Sequence, residues 1–136
     1  MEKLFNTISM VVGVIGGFIC NWLGGADLLL KTIIILAVMD YVTGIIKGIY
    51  EKKLSSEIGF KGILKKIMIF IVIATAWTIQ RLLGDAIALR EIVIMFFVVN
   101  EALSLLENAA VLIPVPDKLK ETLLQLRDKG ESQNDK

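Results

Sequence analysis

The fold is decided by residues 28–50, which read LLLKTIIILAVMDYVTGIIKGIY. A membrane-spanning helix needs about 20 predominantly apolar residues, and only Lys31, Asp40 and Lys47 are charged within this stretch. Stretches of the same character predict further helices over about residues 4–23, 63–83 and 92–113. The sequence therefore predicts an all-α membrane protein with about four transmembrane helices, or three if the glycine-rich first helix is peripheral.

The composition agrees with a membrane protein and excludes several other classes. Of the 136 residues, 55% are hydrophobic, compared with about 45–50% in a typical soluble domain. The formal net charge of +1 gives no field that would favour nucleic acid. The chain has no histidine and a single cysteine, Cys20, which excludes the common zinc spacings and the Ser/His and Cys/His dyads. We expect no enzymatic activity, no catalytic residue, no metal and no cofactor.

The distribution of basic residues predicts the orientation. Four spans place both termini and residues 51–62 on one side, and this side carries twelve of the 15 lysines and arginines. The three on the other side are Lys31, Arg81 and Arg90. Because cytoplasmic loops retain Lys and Arg, we expect a multi-pass protein of the cytoplasmic membrane with both termini in the cytoplasm.

The end of the chain differs in character from the apolar stretches. Pro114 and Pro116 end the fourth helix, because proline cannot continue it. From Asp117 to Arg127 leucines recur on one helical face, which predicts a short C-terminal amphipathic helix. We therefore expect a transmembrane domain at residues 1–116, followed by a charged cytoplasmic tail at residues 117–136.

Residues 51–62, EKKLSSEIGFKG, form a polar connection between the second and third helices. Ser55 and Ser56 are expected to cap the next helical turn, and Gly59 and Gly62 are expected to allow a tight bend. Three lysines at the start of the third helix are expected to reach the anionic headgroups of the membrane lipid. They are Lys61, Lys65 and Lys66.

The second helix carries polar and small residues on one face, spaced at i, i+3, i+4 and i+7. They are Asp40, Thr43, Gly44 and Lys47. Gly44 and Gly48 form a G-x-x-x-G pair that lets another backbone approach closely, and Gly13 and Gly17 of the first helix have the same spacing. Asp40 falls near mid-membrane, where an ionised carboxylate costs about 3 kcal/mol. It is either an interhelical hydrogen-bond anchor or a residue that lines a lumen or controls assembly.

The fourth helix carries an unusual run of polar residues for a membrane span. They are Asn100, Glu101, Ser104, Glu107 and Asn108. Such a face needs partners in neighbouring helices or subunits, or contact with water. By depth, Lys47 is placed to pair with Glu107, and Asp40 lies near the level of Glu101. The face is either a packing contact within one chain or a stripe that becomes hydrated when several copies assemble.

Four blocks of residues, taken in order, give the sequence a resemblance to a known family. They are Asp40-Tyr41-Val42-Thr43-Gly44, then Lys53-Leu54-Ser55-Ser56 through Gly59 and Gly62 to Lys65-Lys66, then Asn100-Glu101 with Ser104 and Glu107-Asn108, and finally Pro114-Val115-Pro116 with Leu119. Together they cover about residues 36–120. This set resembles the phage-lysis and toxin-secretion holins of Gram-positive bacteria and their phages, the group that includes the clostridial toxin-export holin.

The resemblance implies a function without catalysis. Holins accumulate in the bacterial cytoplasmic membrane, form homo-oligomers and open a lesion at a set time. An endolysin then reaches the peptidoglycan, or a toxin leaves the cell, as cargo that is released without specific binding. Two other classes compete with this interpretation. One is a small four-helix multidrug or proton antiporter that would use Asp40 or Glu101, although the sequence lacks an aromatic cluster beside either carboxylate. The other is a small assembly or anchoring subunit whose basic loop and tail dock a cytoplasmic partner.

Overall fold

The structure is a computed structural model that describes residues 1–134, and within that range all regular structure is helical. The helices are α1 (Glu2–Trp22), α2 (Leu28–Tyr50), α3 (Ser56–Leu82), α4 (Leu89–Ala110) and α5 (Asp117–Asn134). The all-α fold with a short C-terminal helix is confirmed. Residues 135 and 136 of the predicted tail lie outside the described residues.

Of the helices in the described range, three are long and apolar enough to cross a membrane, namely α1, α2 and α3. Three spans were the alternative to four expected from the sequence, with the glycine-rich first helix left out; by length and composition α1 is instead one of the three. Of the four helices that the sequence predicted to cross the membrane, α4 is the one outside the three, because its polar residues reduce its apolar content. This helix nevertheless lies in the interior of the bundle, as its packing shows.

Local sequence explains where the helices begin. The side chain of Asp27 accepts a hydrogen bond at 2.9 Å from an amide in the first turn of α2 and so caps that helix. Ser55 caps α3 in the same way, with a distance of 3.2 Å. The turn between α1 and α2 uses Gly24 and Gly25 at φ of +88° and +102°, a backbone conformation that residues with side chains rarely adopt.

α3 begins at Ser56, inside the stretch that the sequence predicted to be a polar connection. Gly59 and Gly62 are therefore helical, and the tight bend expected at these two residues is not formed. The Ser55 cap explains the early start, because it satisfies an amide that would otherwise lack a partner. The connection between α2 and α3 is reduced to residues 51–55.

α4 occupies the centre of the bundle. It packs most extensively against α2 and then against α3, whereas α2 and α3 have few contacts with each other. The apolar core lies between these helices in the half of the bundle near the α1–α2 turn. It consists of Leu23, Leu30, Ile33, Ile69, Ile73 and Ile94. α4 therefore holds α2 and α3 together.

α1 stands apart from the bundle. It is described over its full length and has no buried residue, and its helix contacts are with α3. Cys20, near its C-terminal end, packs against the core, as does Leu23 just beyond the helix. Large apolar side chains along the rest of α1 are exposed, including Phe5 at 71% and Phe18 at 62%. The helix is thus attached to the bundle by its C-terminal end.

The surface is larger and more apolar than that of a soluble protein. The accessible surface is 9969 Å², whereas a compact soluble protein of 15.1 kDa exposes about 7,100 Å². Large apolar side chains are exposed on the outer faces of α1, α2 and α3. An apolar surface of this extent requires lipid or another protein to cover it.

Candidate functional site

A cluster of charged side chains forms where α2, α3 and α4 meet. The ammonium group of Lys66 donates hydrogen bonds to the carboxylates of both Asp40 and Glu101. The side chains are largely buried, with 10% of each acidic side chain and 19% of the lysine side chain exposed. One cation thus serves two anions from two other helices. The described residues contain no group of three or more His, Cys, Asp or Glu side chains that could hold a metal ion.

Asn108 connects the cluster to the face of α2. Its side-chain amide donates to a carboxylate oxygen of Asp40 at 3.1 Å and to the hydroxyl oxygen of Thr43 at 3.3 Å. The same amide lies 3.3 Å from the backbone carbonyl oxygen of Asp40, and a Cβ atom added at Gly44 would lie 3.6 Å from its nitrogen. The structure therefore brings the acidic groups of α2 and α4 together with the polar residues that flank them.

The position of Lys66 differs from the sequence expectation. We expected its ammonium group to reach the lipid headgroups, but it turns into the bundle. The reason is that Asp40 and Glu101, which are 26 and 35 positions away, offer it two carboxylates, and carboxylates buried without a cation are costly. Lys61 and Lys65 remain exposed.

The remaining polar residues of the predicted stripe lie outside the cluster. Asn100 and Ser104 are half-buried and Glu107 is exposed. Lys47, which we expected to pair with Glu107, forms no ion pair within the described part of the chain. Successive residues of a helix point about 100° apart, so the orientation that brings Asn108 to α2 turns Glu107 outward.

Tyr41 makes a contact that the sequence analysis did not single out. Its hydroxyl group donates a hydrogen bond to the carbonyl oxygen of Gly59 at 3.2 Å. A Cβ atom at Gly62 would lie only 3.1 Å from the tyrosine ring. The two glycines therefore leave room for the ring against the backbone of α3. The signal in the sequence was an aromatic residue next to Asp40 and two glycines three positions apart.

A second polar cluster lies at the opposite end of the bundle, around Arg90. This residue lies in the first turn of α4 and is only 1% exposed. Its guanidinium group donates to both carboxylate oxygens of Asp27 at 2.7 and 3.1 Å, to the carbonyl oxygen of Gly25 at 3.0 Å and to that of Leu23. A side chain at Gly24 would overlap the guanidinium group. Arg90 therefore binds the turn that carries α1.

Residues of α3 complete this second cluster. The side-chain oxygen of Gln80 accepts a hydrogen bond from the backbone amide of Arg90 at 2.8 Å, and the Trp77 ring centroid lies 6.0 Å from the guanidinium carbon. Asp27 lies in the connection between α1 and α2, and the hydrogen bond from Arg90 lowers its pKa below the ordinary value of 3.8, although burial acts in the opposite direction. From the sequence, Arg90 was expected only to be a loop charge. The glycine turn followed by Asp27 was the signal that could have identified its partner.

The other predicted packing residues have fewer contacts. At Gly13 and Gly17, apart from the adjacent residues and the nearby backbone of the same helix, no atom of the described chain lies within 4 Å of where a Cβ would stand. Ser56 is the first residue of α3, next to its cap. Pro114 and Pro116 lie in the connection between α4 and α5. The glycine face of α1 is thus open within a single chain.

Comparisons with known proteins identify one matching family and several similar proteins. Residues 17–128 match the profile of the bacteriophage holin family. An uncharacterized 14.9 kDa protein in the nagH 3′ region of Clostridium perfringens is 40% identical over 95% of this chain and 99% of its own length. The uncharacterized protein Lin0175 of Listeria innocua is 38% identical over 95% of this chain and 94% of its own length. A probable holin of Bacillus phage phi105 is 26% identical over 79% of this chain and 80% of its own length. No solved structure matches the chain.

The apolar helices and the interior polar cluster define a small helical membrane protein. The chain belongs to the bacteriophage holin family, which confirms the resemblance seen in the sequence. Membership supports a holin role and a non-enzymatic protein, and it implies association with the membrane and with other copies in general.

Proposed function

We propose that this chain is a holin that oligomerises in the bacterial cytoplasmic membrane and opens a timed lesion for an endolysin or a toxin. The observation that carries the proposal is the cluster of Lys66, Asp40 and Glu101 inside an apolar bundle of this family. Charged groups in a bilayer are costly unless they pair with one another or contact water. The charged groups of the cluster can either pair with one another or be hydrated by water. The cluster therefore suits a protein with a closed form and a hydrated form.

Movement of α4 is the proposed step between the two forms. In the closed form α4 supplies Glu101 and Asn108 and stands between α2 and α3. Rotation or displacement of α4 would separate Glu101 from Lys66 and uncover Asp40. Assembly of several copies would then surround these groups with water, which a single chain in lipid cannot do. Cargo passes through the resulting opening by size, without a binding site of its own.

α1 is the proposed contact between copies. It is long and apolar enough to cross the membrane, it is exposed along almost its whole length, and Gly13 and Gly17 face open space. Membrane helices associate closely where small residues let their backbones approach. A second copy would therefore find on α1 an apolar face that this chain leaves uncovered.

We place both termini in the cytoplasm. α4 has 22 residues and is thus about 33 Å long, and it is packed between α2 and α3 with short connections at its ends. If α2 and α3 cross the membrane, α4 crosses with them. Four crossings put the termini and residues 51–55 on the side that carries eleven of the 15 basic residues when Lys66, which turns into the bundle, is left out of the count. Residues 1–116 then form the transmembrane domain, and the tail begins at residue 117.

The antiporter alternative fits the site less well. An antiporter needs a carboxylate that is free to exchange a proton for a cation. Both candidates, Asp40 and Glu101, bind Lys66. Where the structure is described, the contacts between cations and aromatic rings are at Trp77, toward the other end of α3. A lesion-forming protein therefore accounts better for a lysine that occupies both acids.

The test is inducible expression in a bacterium that also makes a cytoplasmic endolysin without a signal sequence, with culture turbidity as the readout. We expect abrupt lysis only when both proteins are present. An inactive endolysin is the control, and with it turbidity should stay constant after growth stops. Continued growth, with the chain detected in the membrane fraction, would contradict the proposal.

A matched pair of variants tests the cluster in the same culture. Glu101→Gln and Glu107→Gln make the same change on the same helix, but Glu101 binds Lys66 and Glu107 is exposed. We expect Glu101→Gln to change the time of lysis and Glu107→Gln to leave it close to that of the unmodified protein. Equal lysis times for both variants would show that the cluster does not set the timing.

A further inference from the structure

We propose that the cleft between α2 and the first turns of α3 binds the headgroup of an anionic phospholipid. A cavity of about 300 Å³ opens there, beside residues 51–55. Basic side chains of α3 and apolar side chains from α2, α3 and the connection line this cavity. The inference goes beyond lesion formation, because it concerns a ligand that a single chain would bind.

The basic part of the cavity carries more positive charge than the acidic residue in its lining neutralises. Lys61 and Lys65 both line it, and they lie one helical turn apart on the same face. Neither forms an ion pair with any of the carboxylates that the structure describes. Asp40 also lines the cavity, but its carboxylate accepts hydrogen bonds from Lys66 and Asn108. The two remaining ammonium groups are therefore available to a phosphate group.

The apolar part of the cavity favours a lipid over a free phosphate. Ile45, Leu54 and Ile58 line it, and Leu54 and Ile58 are 43% and 57% exposed. A free phosphate would contact the lysines and leave these side chains uncovered. A phospholipid would use both parts, because its glycerol ester region and first methylene groups would cover the apolar side chains.

The position of the cavity suits a headgroup. It lies where α2 ends and α3 begins, and both helices are long and apolar enough to cross the membrane. Lysines at the end of a spanning helix attract anionic lipids. The base of the cavity is also formed in advance, because the Tyr41 hydroxyl group binds the carbonyl oxygen of Gly59. Little rearrangement is then needed for the lipid to bind.

The experiment titrates the purified full-length chain, in neutral detergent micelles, with short-chain phosphatidylglycerol and counts the complexes by native mass spectrometry. In the variant Lys61→Gln/Lys65→Gln we expect binding about 5-fold weaker for each lysine removed and about 25-fold weaker in total. The matched control is Lys118→Gln/Lys120→Gln, which removes the same charge from α5. Equal weakening in the two double variants would overturn the proposal, because binding would then follow net charge alone.

Two further arms identify the ligand. Phosphatidylcholine of the same chain length should bind much more weakly, and inorganic phosphate should not displace phosphatidylglycerol at equal concentration. Leu54→Ser should weaken lipid binding and leave the circular dichroism spectrum unchanged. Displacement by inorganic phosphate, or equal binding of both lipids, would overturn the lipid assignment. These measurements do not involve lysis, so their failure is distinguishable from failure of the proposed function.

Discussion

Removing the cation at the centre of the cluster should destabilise the bundle more than removing either anion. In Lys66→Met, Asp40 and Glu101 keep their buried positions and lose the ammonium group that binds both. Removal of one partner of a buried ion pair costs about 3–5 kcal/mol, and here two carboxylates lose their partner. Asp40→Asn instead leaves Lys66 paired with Glu101 alone, and the new amide oxygen can still accept from Asn108. We expect that change to cost about 1 kcal/mol.

The assay is unfolding of the purified protein by sodium dodecyl sulfate from neutral detergent micelles, followed by circular dichroism. Lys65→Met is the matched control, because Lys65 is adjacent, exposed and without an ion pair to the side chains that the structure describes. If Lys66→Met unfolds at the same detergent fraction as Asp40→Asn, the reasoning is refuted. If Lys66→Met does not accumulate, Asp40→Asn and Glu101→Gln are added to the same chain. The triple variant lacks both unpaired charges, and its folding should be restored.

The same unfolding assay checks the remaining predictions. Gly62→Ala should cost about 1–3 kcal/mol, since the new Cβ would lie 3.1 Å from the Tyr41 ring. Gly17→Ala, with open space around it, should be neutral or stabilising by about 1 kcal/mol. An equal loss of stability in Gly62→Ala and Gly17→Ala would contradict both expectations. Arg90→Met should cost about 1–3 kcal/mol, because backbone carbonyls of the α1–α2 turn lose their donor; an unchanged unfolding point would contradict this. The contribution of the Arg90–Asp27 pair is fully present above pH 3.8 and is lost as the pH falls through the lowered pKa of Asp27. The unfolding points of the unmodified protein and of Arg90→Met should therefore approach each other only below pH 3.8. Convergence of the two unfolding points between about pH 7 and pH 5 would contradict this assignment.

The helices could be predicted because their signals are local. The apolar run at residues 28–50 corresponds to α2, and the serines before α3 supply the cap at Ser55. The start of α3 was misplaced because Gly59 and Gly62 were taken as signs of a bend. In the folded chain these glycines accommodate the ring of Tyr41, and such a contact with another helix leaves no periodic pattern in the sequence.

The candidate site was only partly predictable. Asp40 and Glu101 stood out because acidic residues within apolar runs are unusual. Lys66 was not placed with them, because it lies among other lysines near the end of an apolar run and its partners are 26 and 35 positions away. Arg90 is a similar case, since 63 positions separate it from Asp27. Which side chains meet across helices depends on packing, and the spacing of residues along one helix does not determine it.

The central position of α4 has a consequence for biosynthesis. α4 follows α2 and α3 in the chain, yet those two helices have few contacts with each other. Before α4 leaves the ribosome, Lys66 has only Asp40 as an acidic partner, and the turn at residues 23–27 lacks the guanidinium group that later binds it. Closure of the bundle therefore waits for the last long helix and depends on contacts of high sequence separation, which form slowly. Until then the polar faces of α2 and α3 lack the α4 groups that satisfy them in the complete bundle.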